Sequence, residues 1–200
     1  MSASRTRPQG RPSATDHAAI ERAAFELFEA QGFDETTMEQ IADAVGVGRR
    51  TLFRYFPSKN DIPWGQFDES LRHFRQQFDA LPDDVPLAEA VHRCVMAFNQ
   101  FDEAAMPQHR TRMRLILTTP TLQAHSALRY EAWRAVISEY VGRRLGASAD
   151  GAVPRLVGHV SLALAVASYE RWLAHPELRL TDVLAESMTD LRTYLAASAD

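Results

Sequence analysis

Residues Thr37 to Lys59 read TMEQIADAVGVGRRTLFRYFPSK: a helix, a glycine turn, and a second helix rich in arginine that stops at Pro57. Between Ala44 and Asn60 stand four cationic side chains, Arg49, Arg50, Arg54 and Lys59, and no carboxylate. If Leu52 and Phe56 form the inward stripe, the roughly 100° step of an α-helix turns Arg50, Thr51 and Arg54 away from the core. Arg49, Phe53 and Tyr55 then lie on the flanks. Arginine can bond guanine O6 and N7 bidentately, and a threonine methyl or an aromatic edge can meet the thymine methyl. The expectation is a short helix laid in the major groove of double-stranded DNA. Thr37, opening the helix before, and Lys59, opening the helix after, are expected on flanking phosphates, where helix N-terminal amides attract anions. A merely solvated helix face could carry the same residues, so the residues alone leave that alternative open.

The helical pattern extends in both directions from this stretch. Ile20, Ala24, Leu27 and Phe28 recur at helical spacing and predict a first helix from about Asp16 to Gly32. Thr36-x-x-Glu39 reads as a capping box for the second helix, with Ile41 and Val45 inward and Gly46 supplying a positive φ at its end. Ser58-x-x-Asp61 reads as the cap of a fourth helix carrying Phe67, Leu71, Phe74 and Phe78. Pro63, a turn inside, cannot donate to the Lys59 carbonyl, so this helix should start bent or weak. Further helices are predicted over 87–104, 107–118, 121–146, 153–175 and 180–197. No segment alternates with period two, so the fold class is all-α, three short helices followed by about six longer ones. The organisation predicted is a disordered Pro/Gly/Arg-rich arm over 1–12, a helix-turn-helix DNA-binding domain over 13–60, and a helical ligand-binding and dimerisation domain over 61–200.

Composition narrows the function. Apolar residues make up 46% and charged ones 24% of the 200 residues, as in a soluble globular protein with a real core. Residues 1–60 carry eight basic and eight acidic side chains; the remainder carries fourteen and eighteen. Contact with nucleic acid must therefore be local and directional. The single cysteine, Cys94, excludes an internal disulfide and lies on an apolar stripe, where a thiol packs as a small hydrophobe. The seven histidines lack metal-ligand spacing, so no metal is expected. No Ser/His/Asp set, glycine-rich phosphate loop or carboxylate pair suggests an enzyme or a cofactor. No signal peptide, apolar run of eighteen residues or lipidation motif is visible, which points to a cytoplasmic protein that does not engage the membrane.

The second half offers candidates for an effector site. Met96, Phe98, Phe101, Met113, Leu117, Tyr130, Trp133, Tyr169 and Trp172 could line a cavity, although such stripes are usually core. His109, Arg110, Arg112 and Arg114 lie close to Met113 and Leu117. An apolar wall with this arginine cluster, Arg110 among it, at its mouth would suit an acyl chain with a phosphate-bearing head; a solvated helix face is the plainer alternative. Small residues recur over 156–173 (Gly158, Ser161, Ala163, Ala165, Ala167, Ser168), and the last helix presents Val183, Leu184, Ser187, Met188, Leu191, Tyr194 and Leu195. These two helices could form an interface or bury their faces within one chain.

Phe25 to Lys59, with the Gly32-Phe33 turn, Thr36-Thr37, Ile41-Ala42, Val45-Gly46-Val47, Thr51-Leu52-Phe53 and Tyr55-Phe56-x-Ser58-Lys59, resembles the amino-terminal domain of the TetR family of transcriptional regulators. The resemblance implies three DNA-reading helices, a helical effector domain, and a homodimer formed through the last two helices on a palindromic operator. Two positions depart from the family pattern. Gly48 stands where a serine is common, which removes a side-chain cap. Arg49-Arg50 replaces a smaller pair, which favours guanine contacts. The runs GRRTLFRYFPSKNDIPWGQFD and PQHRTRMRLILTTPTLQAHSALRYEAWR are similar to those of regulators that accompany mycofactocin biosynthesis clusters. That likeness implies a small-molecule effector such as a long-chain acyl-CoA. The function expected is a ligand-responsive repressor, with the fourth helix as lever and Pro63 as its soft point. The alternative is an acyl-CoA or small-molecule binding protein, or an enzyme, on a helical scaffold without operator binding.

Overall fold

A computed structural model describes residues 16–65 and 67–197; the arm expected over 1–12 lies outside them. All regular structure among the described residues is helical. The chain divides into two compact units, one ending at Gly65 and the other following it, so the boundary expected at Asn60 moves to Gly65.

The first unit holds α1 (His17–Gln31), α2 (Met38–Ala44), α3 (Arg49–Tyr55) and a 3-10 turn (Lys59–Trp64). Asp16 caps α1, its carboxylate accepting from the Ala19 amide at 2.8 Å. The cap of α2 is one residue later than the sequence suggested. Thr37 accepts from the Gln40 amide and Gln40 Oε1 accepts from the Thr37 amide, closing a Thr37/Gln40 capping box in place of Thr36/Glu39. Thr36 is buried and donates its hydroxyl to the Gly32 carbonyl at 2.8 Å, locking the α1–α2 corner. Gly46 has φ +69°, the left-handed conformation that the tight α2–α3 turn requires. Ile20, Ala24, Phe28, Ile41, Leu52 and Phe56 interlock as the core of this unit.

The fourth helix does not begin at Ser58. Ser58 gives no backbone cap and donates its hydroxyl to Asp61 at 2.7 Å. Pro63 removes the amide that an α-turn needs there, and the segment tightens into a 3-10 turn whose Ile62 and Pro63 are buried. A Cβ at Gly65, which has φ +52°, would lie 2.6 Å from Glu21 Oε1. Glycine is therefore favoured where the chain leaves the first unit.

The second unit contains α4 (Phe67–Asp79), α5 (Leu87–Phe98), a short 3-10 turn (Glu103–Ala105), α6 (Met106–Thr118), α7 (Pro120–Leu145), α8 (Ala152–Ala174) and α9 (Leu180–Ala197). The helix expected over 87–104 stops at Phe98. Asn99 folds its amide back to the Val95 carbonyl at 2.8 Å and ends it. Two apolar clusters fill this unit. One joins α4, α5 and α7 through Phe74, Phe78, Cys94, Trp133, Ile137 and Tyr140; the other centres on Tyr169, Trp172, Leu180 and Leu184. Ion pairs Asp68–Arg129, Arg75–Glu139 and Asp79–Arg143 rise together in number, so α4 and α7 run parallel. These exposed pairs set register and add little stability. Gly146, at φ +62°, ends α7 in a left-handed cap.

Candidate nucleic-acid interface and effector domain

Helix α3 is anchored on the core by its inward residues. Leu52 and Phe56 are buried, while Arg49, Arg50, Phe53 and Arg54 are exposed and Thr51 and Tyr55 half-buried. Gly48 caps it without a side chain, as its lack of a hydroxyl requires. Two arginines at the positive end of a helix oppose its dipole. The structure answers with Glu39 of α2, whose carboxylate meets Arg49 Nη1 at 2.6 Å. The Arg49 guanidinium also lies over the Phe53 ring at 5.3 Å, and that of Arg54 over the Tyr55 ring at 5.5 Å. Arg50 has no ion-pair partner among the described residues and stands free beside them. Tyr55 is braced by an edge contact with His17 of α1, centroids 4.9 Å apart. Glu39 and His17 were not legible as parts of this surface, because each reaches it only through the packing of α1 and α2 on α3.

Thr37 and Lys59 differ from the groove-facing residues. Thr37 is exposed at the start of α2 with its oxygen already accepting from Gln40, which leaves its proton to give outward. Lys59 was expected on a phosphate, but its ammonium turns inward. It donates to the carbonyls of Phe33 at 2.6 Å, Asp34 at 3.1 Å and Thr36 at 2.8 Å, and lies 4.5 Å over the Phe33 ring. Burial lowers its pKa, against the opposing pull of Asp34 and Glu35. All three donors are spent, so Lys59 staples the 3-10 turn to the α1–α2 corner.

The eight residues expected around an effector fall into two groups. Phe98 and Trp133 pack with Phe74, at ring distances of 4.8 and 5.4 Å, and belong to the α4–α5–α7 core instead of a cavity wall. Phe101, Arg110, Met113, Leu117 and Tyr169 gather around the second cluster. Tyr130 is held near Tyr169, bonds Ser126 and has its pKa raised by burial. Arg110 lies flat on Trp172 at 3.9 Å and donates to its carbonyl at 2.8 Å, so it serves as a cap of α8. At the centre His109 Nε2 is 2.9 Å from the Tyr169 hydroxyl, which donates to Asn99 Oδ1 at 2.8 Å. Phe101 stacks on the imidazole at 3.8 Å. An open groove of about 400 Å³ at the α7–α8 turn, lined by Glu139, Gly142, Arg143, Gly146, Ala147 and Ala149, includes none of the expected effector residues.

Helices α8 and α9 carry two kinds of small and apolar positions. Gly158, Ser161, Ala165 and Ser168 face inward within the chain, as do Val183 and Leu184. Val153, Leu156, Val160, Ala163 and Ala167 form an outward stripe on α8, and Tyr194 and Leu195 are exposed on α9. Among the described residues α8 is also the one helix long and apolar enough to cross a membrane by length and composition.

Comparison with known proteins matches residues 20–62 to the model of bacterial regulatory proteins of the tetR family, and residues 85–196 to the MftR C-terminal domain. The chain is 42% identical over 175 residues to a Mycobacterium tuberculosis protein named as a mycofactocin biosynthesis transcriptional regulator, MftR, covering 88% of each. It is 33% identical over 186 residues to the HTH-type transcriptional regulator TcmR of Streptomyces glaucescens, covering 88% of this chain and 82% of that one. Among solved structures, Thermus thermophilus FadR, a TetR-family repressor crystallised with lauroyl-CoA, superposes with a TM-score of 0.56. That match has 23% identity and covers 87% of this chain and 92% of the other.

Proposed function

The chain belongs to the TetR family of transcriptional regulators, and on that premise we propose that it is a dimeric repressor released from its operator by a small-molecule effector. Helix α3 reads one half-site, with Arg50, Thr51 and Arg54 toward the bases and Arg49, Phe53 and Tyr55 beside them. Thr37 holds a flanking phosphate. The observation that carries this reading is the exposed face of α3, where three arginines stand on a seven-residue helix anchored by Leu52 and Phe56. A two-fold dimer through α8 and α9 presents two such helices to a palindrome. The outward apolar stripe of α8, unburied within one chain, supports that interface.

The effector acts by binding one arrangement of the two heads better than the DNA-bound one, which shifts the population. A long-chain acyl-CoA is the candidate, supported by the lauroyl-CoA held by the Thermus neighbour and by the aromatic and methionine-lined cluster around Tyr169. The protein acts where the chromosome is, in the cytoplasm.

A gel shift on the DNA upstream of the protein's own gene tests both parts. The expected result is a retarded band that Arg50→Ala with Arg54→Ala abolishes and that lauroyl-CoA releases. Retention of the band by the double variant overturns the reading of α3. A band unmoved by lauroyl-CoA overturns the acyl-CoA effector while leaving operator binding in place.

A further inference from the structure

A chain of hydrogen bonds in the second unit fixes its own proton positions. The Val95 carbonyl can only accept, so Asn99 must turn Nδ2 toward it and Oδ1 toward Tyr169. That oxygen can only accept as well, and Tyr169 therefore gives its one hydroxyl proton to Asn99. His109 Nε2, facing the same hydroxyl oxygen, has no proton to receive and must donate one. Burial keeps this imidazole neutral, its pKa pushed down to about 3 with Arg112 adding to the shift. A neutral imidazole carries a single proton, here on Nε2. Nδ1 is consequently a bare lone pair.

That lone pair is buried on a side chain only 6% exposed, and no donor among the described residues reaches it. Buried acceptors are almost always paired, so an orphan of this kind calls for a function. Phe101 covers the ring at 3.8 Å, Trp172 stands 6.1 Å away, and the Arg112 guanidinium lies near enough for its charge to act on the imidazole. Met106 and Met113, side chains that repack easily, edge the same cluster. Phe101 itself lies outside any helix, between α5 and the 3-10 turn, and is 37% exposed.

We propose that His109 Nδ1 is the polar anchor of an effector site beneath Phe101, taking a largely apolar ligand that presents one hydrogen-bond donor, a hydroxyl or an amide N–H. The site discriminates by the same chemistry. An ionised carboxylate brings another lone pair and no proton, so it gains nothing at Nδ1, whereas a hydroxyl or amide pairs it. This assignment rests on the ligand-responsive reading above and names the atom through which that response is read.

The test is ¹⁵N spectroscopy of the histidine rings in the full-length protein, with three probes: lauroyl-CoA, 1-dodecanol, and dodecyl methyl ether, which lacks the donor. In the free protein, His109 is expected as the Nε2–H tautomer with an unbonded Nδ1. Dodecanol should move the Nδ1 resonance and the methyl ether should not. His109→Gln keeps a donor at the Nε2 position and removes Nδ1; it should melt like the wild type and bind dodecanol about tenfold or more weakly. A proton on Nδ1 in the free protein, equal binding of alcohol and ether, or no movement with any probe overturns the proposal. If lauroyl-CoA releases DNA equally from wild type and His109→Gln, the effector reading stands and this site is wrong. If dodecanol moves Nδ1 and no probe affects DNA binding, the site stands and the ligand-responsive reading fails.

Discussion

Lys59 is the sole lysine among twenty-two basic residues, and its position explains why lysine is kept there. An ammonium offers three protons in a compact tripod, and three carbonyls of the α1–α2 corner receive them. A planar guanidinium cannot reproduce that geometry. Lys59→Met is therefore expected to destabilise the DNA-binding unit by about 1–3 kcal/mol, seen as a lower melting temperature, and Lys59→Arg should not restore it. Among molecules still folded, the salt dependence of DNA binding should be unchanged. Arg50→Ala, at a residue turned toward the bases, should instead cost about 1–3 kcal/mol of operator affinity and relax base preference. A salt slope flattened by about one unit in Lys59→Met would return this residue to the phosphate backbone. Sequence could not reveal the staple, since its acceptors lie 23 to 26 residues away and are backbone atoms. By contrast, the inward pair Leu52 and Phe56 was legible, because helical periodicity alone decides which face of α3 is apolar.

At the scale of elements, the sequence pattern located every long helix but misread several ends. Thr36 and Thr37 both suit an N-cap, and the choice fell to burial: Thr36 is needed inside to hold Gly32, so Thr37 is left to cap. The 3-10 turn at Pro63 and the stop at Asn99 depend on partners in packed neighbours, which periodicity does not see. The small residues of α8 were legible as a close-approach stripe, but Gly158 meets α7 and Ser168 meets α9 of the same chain, while Ala163 and Ala167 face outward. A Cβ on Gly158 would lie 2.8 Å from Ser138 Oγ and 3.0 Å from the Arg134 carbonyl. Ser138 cannot simply swing away, because its hydroxyl donates to the Pro154 carbonyl. Gly158→Ala is thus expected to cost about 1–3 kcal/mol by overpacking. Ser138→Ala in that background should recover part of the loss, while the same change alone should destabilise. Chemical denaturation of the four proteins measures the coupling, and strictly additive effects would show that the α7–α8 approach does not depend on this contact.

At the scale of the whole molecule, the outward face of α8 poses a problem that a single chain does not solve. Val153, Leu156, Val160, Ala163 and Ala167 advance by three and four residues along one side of a helix only a third buried across its apolar window. Such a stripe is an aggregation hazard unless covered. The sequence showed the apolar content of α8 but not which part the chain itself would hide, since that depends on α7 and α9 taking Gly158, Ser161, Ala165 and Ser168. A second copy is the occupant proposed above, and three-four spacing with small residues at its carboxyl end suits close helix–helix packing. Leu156, 60% exposed, lies within this stripe. Leu156→Glu would place two carboxylates against each other across a two-fold axis while leaving the folded chain's own core untouched. The expected outcome is a monomer by analytical ultracentrifugation with unchanged helical content and melting behaviour at high dilution. Affinity for a palindromic operator should fall toward that for a single half-site, because the avidity of two linked heads is lost. A variant that sediments as a dimer and binds the palindrome as before would move the interface away from α8.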